Sequence, residues 1–488
     1  MRWNQRKIIM VLIGISLLRC GPSEDKRELS IHPNIILIMV DDLGKEWVSC
    51  YGAEGIRTPN IDALAAGGIR FNNVYCMPQC TPTRVTLLTG QYPFRHGWVN
   101  HWDVPRWGGG AHFDETMNPS VARELRRAGY KTCIAGKWQI DDFRVEPDAL
   151  TKAGFDDYCM WTGYETGVPP SSERYYDPYL FTNAGSKSYP GKFGPDIFRD
   201  FVIDFIRDNH NNSFFIYYPM VLTHTPFVHT PDKSADSDLD RHIAMVEYVD
   251  KITGEIVSAL EELNLGENTL VLWTTDNGTT GQVTGTQADR KIKGGKSKTL
   301  ESGICVPFIA NWSDHLSSGT TSDALIDFTD LFPTILDLAG IYPGGKIQVG
   351  GSSQVIDGHS FKAVLLGEGN DAARQWIMSM GGGNYARLTA DGVENQYTYR
   401  DRVMRNKRYK IYIDGQGEPE KFFDLRNDPF EESNLIHKID SLDLRGDYNQ
   451  LLAVLNKFPN RDSDPRYKPN PAQAWDVAIT AESEVWKK

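Results

Sequence analysis

The segment from Gln79 to Gly90 places a cysteine at the start of a predicted helix. Thr81 is a typical helix N-cap, and Gly90 is a typical helix end. Cys80 would therefore lie beside the free backbone N–H groups and the positive dipole end of a helix, which together favour an anion. Arg84, one turn later, can point back to the same position. The segment predicts either a thiol that handles an anion or a buried structural cysteine beside a capped helix.

Polar side chains that could serve the same site follow several predicted buried strands. The apolar runs 35–40, 214–218 and 269–274 have the length and continuity of strands that are buried on both faces, and 131–135 is predicted to be a short strand. In sheets of this kind, ligands bind outside the carboxyl ends of the strands. Alone, each polar group has an ordinary role in a turn, a helix cap, a loop or the solvated surface, but their shared position predicts a common site. The groups are Asp41, Asp42, Lys137, His224, Asp276 and Asn277.

The order of the elements predicts an α/β fold. Strands alternate with helices, such as the amphipathic helix predicted over 240–263. This alternation predicts a large mixed, mostly parallel sheet sandwiched by helices, in a catalytic domain over residues 33–368. The apolar run 325–338 predicts a further helix in that domain. Over residues 369–488, short strands separated by turns predict a smaller C-terminal antiparallel sheet with a helix, followed by a polar tail.

The N-terminus has the pattern of an export signal. Three basic residues precede the apolar run 8–18, which is too short to span a bilayer. The run ends at Cys20 in a sequence that resembles a bacterial lipoprotein box, so we interpret 1–19 as a signal peptide and 20–32 as a polar leader. We expect an exported bacterial protein of the periplasm, outer membrane or cell surface, attached to a membrane only through a lipid on Cys20. An ordinary cleaved signal peptide is the alternative.

The charge and the cysteine content argue against other classes of protein. The 488-residue chain carries a net charge of −12, and loss of residues 1–19, which contain four basic and no acidic residues, leaves −16. This balance disfavours a nucleic-acid partner, and an anionic substrate would need a local group of Lys, Arg and His. The seven cysteines show neither zinc-finger spacing nor a dense disulfide pattern, although export permits a disulfide.

Three motifs resemble the type I, formylglycine-dependent sulfatases of the alkaline phosphatase superfamily. The first is Cys-x-Pro-x-Arg, which begins at Cys80, and the second is Thr-Pro-Asn-Ile-Asp at 58–62. The third is the segment 422–435, which is similar to the C-terminal motif of the family. The resemblance spans roughly residues 33–440. It implies that a formylglycine-generating enzyme oxidises Cys80 to formylglycine (3-oxoalanine), an aldehyde whose hydrate is the nucleophile.

The acidic groups predict a metal site made of hard ligands. Three carboxylates and one carboxamide, without a histidine, favour calcium or magnesium over zinc. The resemblance to sulfatases implies one calcium ion per chain, which would lower the pKa of the hydrate and neutralise a sulfate oxygen. The implied metal ligands are Asp41, Asp42, Asp276, Asn277 and the hydrate made from Cys80.

The resemblance also implies roles for the basic residues. Arg84 would hold the hydrate. Lys137, Lys296 and His224 would bind the sulfate oxygens and oppose the charge that builds up in the transition state. His224 or Lys296 would then give a proton to the departing sugar oxygen. The implied substrate-binding residues are Lys137, Gln139, His224 and Lys296. The implied function is hydrolysis of sulfate esters on a sulfated carbohydrate derived from a polysaccharide or glycosaminoglycan.

Gln139 departs from the pattern of the family. After Lys-Trp the family usually has a histidine that hydrogen-bonds the hydrate and helps to regenerate it, whereas glutamine cannot act as a base at neutral pH. Regeneration would then use another group or water. We expect the loops 98–112 and 141–195 to decide the substrate. We expect each of the nearby histidines to be structural, namely His96, His101 and His112. Tryptophans could stack on sugar faces, but we expect at least half of them to lie in the core; they are Trp98, Trp102, Trp107 and Trp161.

Other functions fit part of the pattern. A phosphonate or phosphodiester hydrolase could use the same aldehyde nucleophile. A glycan-binding relative that has lost catalysis would explain Gln139. A two-metal phosphatase fits less well, because Asp276 is followed by Asn277, where that branch has histidine.

Overall fold

The computed structural model describes most of the chain after residue 31. The described residues are 32–98, 111–163, 165, 168–369, 374–381, 386–389, 392–395, 401–459, 466, 468–469, 471 and 473–475. The predicted signal peptide, Cys20 and nearly all of the polar leader lie outside them, as do His101, Trp102 and Trp107. The described residues form one compact unit. A search of the described helices for a stretch long and apolar enough to cross a membrane finds none.

The central element is a ten-stranded mixed sheet. In chain order its strands are Asn34–Val40 (β1), Ile69–Tyr75 (β2), Lys131–Lys137 (β3), Asp157–Trp161 (β4), Tyr179–Thr182 (β5), Gly185–Ser188 (β6), Phe214–Pro219 (β7), Thr269–Thr275 (β8), Cys305–Asn311 (β9) and Thr320–Asp327 (β10). Their spatial order is β10-β2-β9-β8-β1-β7-β3-β4-β5-β6, and the five pairs β1·β7, β1·β8, β3·β7, β3·β4 and β2·β10 are parallel. The predicted large, mostly parallel sheet is thus confirmed.

Helices pack on this sheet because the apolar strands must be covered on both faces. Alternate residues of β1, Ile36, Ile38 and Val40, join one core cluster with side chains of α1, α6 and α7. A second group, α2, α4 and α9, packs together. Within the described residues the helices are Pro59–Ala66 (α1), Cys80–Thr89 (α2), Pro93–His96 (α3), Val121–Arg127 (α4), Ala149–Ala153 (α5), Gly194–Asp208 (α6), Asp238–Glu262 (α7), Glu301–Ile304 (α8), Leu331–Leu338 (α9), Lys362–Leu365 (α10) and Arg445–Leu455 (α11).

One predicted helix is wrong. The run 325–338 does not form a single helix, because its first residues complete the edge strand β10, which pairs in parallel with β2. Asp327 then caps a short turn through its side chain, and α9 starts only at Leu331. A continuous apolar run cannot distinguish a buried strand from a buried helix.

The C-terminal part contains the predicted smaller antiparallel sheet. Its strands are, in spatial order, Ile377–Met380 (β11), Arg402–Arg405 (β12), Tyr409–Ile413 (β13) and Pro419–Asp424 (β14). Helix α11 covers one face of this sheet in a common apolar cluster. Two-stranded ribbons complete the fold, namely Ala111–His112 with Lys468–Pro469, Thr284–Gln287 with Arg290–Lys293, Lys346–Val349 with Ser352–Val355, and Ala386–Thr389 with Gly392–Asn395.

A buried ion network fastens the C-terminal sheet to the segment that follows β8. The Nζ atom of Lys410 lies 2.9 Å from Glu301 Oε1 and 2.9 Å from Glu431 Oε1. The other carboxylate oxygen of Glu431 accepts a hydrogen bond of 2.8 Å from the backbone N–H of Glu301. The Lys410 side chain is fully buried. The C-terminal motif predicted over 422–435 therefore supplies an acid that holds residue 301 in place.

Replacing Lys410 with methionine is expected to destabilise the protein by about 3–5 kcal/mol, because the carboxylates of Glu301 and Glu431 would lose their buried counter-ion. The loss is measured as a lower melting temperature and a lower denaturant midpoint. Lys407→Met, at an exposed position three residues earlier, is the control and should change neither. Equal melting temperatures for the two variants would show that the network does not stabilise the fold.

Candidate active site

Cys80 lies at the N-terminal end of α2, at the carboxyl edge of the main sheet. The helix begins at Cys80 itself with Gln79 at the N-cap position, so the prediction of Thr81 as N-cap is wrong by two residues. Cys80 is 3 % exposed, and the six described cysteines are free thiols. Arg84 lies one turn later, as predicted. It donates hydrogen bonds of 2.7 Å to Asp276 Oδ2 and 2.8 Å to the carbonyl of Lys137.

The acidic residues converge on Cys80. One ligand atom each from Asp41, Cys80 and Asp276 lies within 4.8 Å of the other two. Asp42 joins the group because its backbone N–H donates to Asp276 Oδ1 at 3.1 Å. The side-chain amide of Asn277 donates to Asp42 Oδ1 at 2.8 Å. The strand exits of β1 and β8 thus bring all the residues of the predicted acidic set to the start of α2.

Two oxygen atoms of this group are suited to a cation. Asp41 Oδ1 and Asn277 Oδ1 are buried and have no hydrogen-bond partner. An unpaired buried carboxylate or amide oxygen is unfavourable unless a donor or a metal ion satisfies it. The set contains only oxygen ligands beside the thiol, which is the chemistry of calcium and magnesium sites. The residues present therefore fit a hard divalent cation.

Three cationic or protonatable groups surround the acids. Lys137, fully buried at the end of β3, places Nζ 2.7 Å from Asp41 Oδ2. Lys296 Nζ lies 2.6 Å from Asp42 Oδ2, and His224 Nε2 lies 3.7 Å from the same atom. These groups place positive charge and hydrogen-bond donors beside the acids that converge on Cys80, which suits an anionic ligand.

The electrostatics of the site reflect burial and close charges. Burial alone would raise the pKa of Asp41, but the charges of Lys137 and Arg84 hold it well below its usual value. Burial and the charge of Asp41 raise the pKa of Asp276 to about 7. Burial and the neighbouring lysines hold the pKa of His224 well below its usual value. The site therefore keeps a neutral imidazole beside the ionised carboxylate of Asp41.

Gln139 follows β3 and lies against the first turn of α2. Its carbonyl accepts a hydrogen bond of 3.5 Å from Thr81 Oγ1, and its backbone adopts a left-handed conformation (φ 59°). Its side-chain Oε1 is buried without a hydrogen-bond partner. The preceding Trp138 is fixed by a hydrogen bond of 2.5 Å from Nε1 to Asp141 Oδ2. Gln139 is thus held beside the first turn of α2 with a free acceptor on its side chain, and its place in the substrate-binding set stays a prediction.

Several other candidates are structural in this fold. His96 is buried, with Nε2 3.2 Å from Thr86 Oγ1 and Nδ1 accepting from the backbone N–H of Trp98. His112 Nε2 lies 3.8 Å from Glu146 Oε1. Trp98 and Trp161 are buried in the core, so neither offers a face to a sugar. This agrees with the expectation that core packing accounts for at least half of the tryptophans.

Sequence reasoning missed one residue at the site. Arg174, within the predicted loop 141–195, places Nη2 2.9 Å from His224 Nδ1. No motif marks it. The only sequence signal was a basic residue within an aromatic segment, before two tyrosines.

Comparisons with known proteins agree with this site. The profile of the sulfatase family matches residues 33–341, and a profile described as N-sulphoglucosamine sulphohydrolase, C-terminal, matches residues 295–457. The chain is 31% identical to N-acetylgalactosamine-6-sulfatase of Rattus norvegicus, over 74% of this chain and 70% of that protein. It is 29% identical to arylsulfatase A of Homo sapiens, over 83% of each chain. The chain therefore belongs to the sulfatase family, within the alkaline phosphatase superfamily, and is a sulfuric ester hydrolase.

The fold is also similar to solved structures. One of them is a protein in complex with its substrate D-glucosamine-2-N,6-O-disulfate. It superimposes with a TM-score of 0.68 at 21% sequence identity, over 87% of this chain and 98% of the other. A superposition of this extent is consistent with one shared architecture.

Proposed function

We propose that this chain is an exported sulfatase that removes sulfate from a sulfated carbohydrate, derived from a polysaccharide or glycosaminoglycan, with formylglycine at position 80 and one bound calcium ion. The observation that carries the proposal is the convergence of Cys80 with Asp41 and Asp276, inside a ring of basic groups. Relatives named for N-acetylgalactosamine 6-sulfate, and a structural neighbour bound to a sulfated glucosamine, support a carbohydrate substrate.

The implied calcium ion and the implied formylglycine at position 80 would share this site. The residues that would hold calcium are Asp41, Asp42, Asp276, Asn277 and the oxidised residue 80. When bound, the ion would supply positive charge that lowers the pKa of the hydrate and neutralises a sulfate oxygen. Formylglycine, made by a formylglycine-generating enzyme, would supply a hydrated aldehyde with one hydroxyl to attack sulfur and a second to expel sulfate.

The side chains of the chain itself bind, orient and move protons. Arg84, anchored on Asp276, fixes the position of residue 80. Lys137 and Lys296 turn their ammonium groups toward the sulfate oxygens, where they oppose the growing negative charge. The departing sugar oxygen receives its proton from Lys296 Nζ, or from His224 Nε2 where the charge of the bound sulfate raises the pKa of the imidazole so that it carries a second proton. Gln139 contributes a hydrogen bond and no base, so another group or water would take up the proton when the aldehyde is restored.

The decisive experiment combines a mass measurement with an assay. The protein is expressed in a host with the converting enzyme, and the mass of the peptide that contains residue 80 reports conversion. The converted protein is then assayed for sulfate release on sulfated oligosaccharides, including 6-sulfated hexosamines, and on sulfate and phosphate esters of one phenol. Sulfate release supports the proposal. Faster turnover of the phosphate ester favours a phosphonate or phosphodiester hydrolase, and binding of sulfated sugar without release favours a catalytically inactive binding protein.

Replacing Lys296 with alanine is expected to lower kcat/KM for sulfate release by about 10²-fold, because one charged donor to the transition state is lost. Lys298→Ala, at an exposed position on the same loop, is the matched control and should stay within about twofold of the wild type. Steady-state kinetics on one sulfated saccharide makes the comparison. A smaller loss in the Lys296 variant than in the control would remove Lys296 from the sulfate-binding set.

The proposed location follows from the N-terminal sequence. The basic residues and the apolar run 8–18 support export, and the sequence around Cys20 supports lipid attachment. We include attachment to the periplasmic or outer surface of a bacterial membrane through this lipid in the proposal. The substrate would then be a saccharide outside the cytoplasm.

A further inference from the structure

Arg174 is buried beside His224 without a counter-ion. It is 2 % exposed, and in the described part of the chain no carboxylate oxygen lies within 4 Å of its guanidinium. Its Nη2 atom lies 2.9 Å from His224 Nδ1 and also donates to the carbonyl of Thr225. Its Nε and Nη1 atoms are buried without hydrogen-bond partners. Burying a charge without an opposite charge costs folding free energy, so packing alone does not explain this residue.

The surroundings of Arg174 hold the guanidinium in one place. The group stacks on the ring of Trp161 at 4.4 Å from the ring centre, and Trp161 donates from Nε1 to the carbonyl of Ser171 at 2.9 Å. The next residue, Tyr175, donates its hydroxyl proton to the carbonyls of Val221 and His224. Two successive residues therefore tie this segment to the loop that leaves β7 and carries His224.

We infer that Arg174 is a positioning residue that fixes the orientation and the tautomer of His224. Two groups face Nδ1: the guanidinium of Arg174 at 2.9 Å, which only donates, and the carbonyl of Thr225 at 2.7 Å, which only accepts. Because Arg174 Nη2 already donates to that carbonyl, the tautomer we infer is the one in which Nδ1 accepts from Arg174. The proton of the neutral imidazole then lies on Nε2, which faces Asp42 Oδ2 at 3.7 Å and the proposed position of the sulfate. This inference rests on the proposed function, in which His224 Nε2 serves the substrate.

A double-mutant cycle tests the inference. Arg174→Met keeps the length and the apolar stem of the side chain and should lower kcat by about 10²-fold with a smaller change in KM, because His224 is misplaced. In a His224→Ala background the same substitution should lower kcat by less than about threefold, since nothing remains to be positioned. Arg174→Lys restores a donor and should recover part of the loss. Equal losses in both backgrounds would overturn the inference, and so would the absence of a loss in the wild-type background.

A matched control separates positioning from folding. Arg123 is also a buried arginine with an unpartnered Nη1, and its Nη2 donates to the carbonyl of Asn118. Arg123→Met should lower the melting temperature by about as much as Arg174→Met does, but it should leave kcat unchanged. A loss of kcat in this control as large as that in Arg174→Met would assign both effects to stability and overturn the inference.

Nitrogen-15 NMR of the histidine rings gives a readout that does not depend on turnover. In the full-length protein, the His224 signals, identified by their absence from His224→Ala, should show a protonated Nε2 and an unprotonated Nδ1. In Arg174→Met the proton should move to Nδ1, which then donates to Thr225. If the wild type releases no sulfate, the proposed function fails while this measurement still tests Arg174. A protonated Nδ1 in the wild type, or no change in the variant, would overturn the inference.

Discussion

Cys80→Ala is expected to reduce sulfate release by at least about 10⁴-fold, because the side chain that would become the nucleophile is removed. The fold should survive, since the substitution removes one buried sulfur atom at the first residue of α2. The measurements are the rate of sulfate release from one sulfated saccharide and the melting temperature, each for the variant and for the wild type. The expected result is an inactive protein that melts close to the wild-type temperature.

The control for this variant is a second buried thiol close by. Cys76 lies four residues earlier, and its Sγ contacts the carbonyl of Ile304 at 3.4 Å. Cys76→Ala should keep most of the activity, because the Cys76 thiol is not part of the group formed by Asp41, Cys80 and Asp276. If Cys80→Ala kept a turnover similar to that of Cys76→Ala, the chemistry would not pass through residue 80 and the proposed mechanism would be wrong.

Removal of the divalent cation is expected to lower activity by at least about 10³-fold, because an ion that neutralises a sulfate oxygen contributes several kcal/mol to the transition state. Asp41 Oδ1 and Asn277 Oδ1, which have no hydrogen-bond partner, would also lose the cation that they are proposed to bind. Chelation should lower the melting temperature by roughly 2–4 °C, since a bound ion stabilises only the folded state. Calcium should restore both properties, with a stoichiometry of one ion per chain.

Two variants sharpen the metal experiment. Asp276→Asn removes one carboxylate from the group and weakens the anchor of Arg84, so the purified variant should contain less than one ion per chain. Asp236→Asn, at an exposed position, should bind the ion as the wild type does. Full activity in the chelated wild type would refute a catalytic metal. If magnesium restored the activity of the chelated protein better than calcium did, our assignment of calcium would be wrong.

The positions of the site residues could be predicted because of how buried strands read in a sequence. Strands covered on both faces are continuous apolar runs, so the first polar residues after β1 and β8 stand out as Asp41 and Asp276. Parallel strands then bring these exits to one edge of the sheet without further information. The motif at Cys80 adds the helix that faces the same edge. Most of the site follows from these rules together.

What sequence could not reveal depends on contacts between distant segments. Whether the run 325–338 became strand or helix was decided by the free edge of β2, with which its first residues pair. Arg174 contacts a histidine fifty residues later, and no local pattern encodes that contact. The acid of the C-terminal motif that faces Lys410 was likewise not apparent, because a paired buried carboxylate and a surface carboxylate look the same in sequence.

The anchoring of residue 301 by Lys410 and Glu431 has a consequence for biogenesis. The contacts that hold residue 301, five positions after Lys296, cannot form before Lys410 and Glu431 have been synthesised, more than a hundred positions later. Cys80 is 3 % exposed in the finished fold. Under the proposed function, a converting enzyme would therefore have to reach Cys80 before folding is complete.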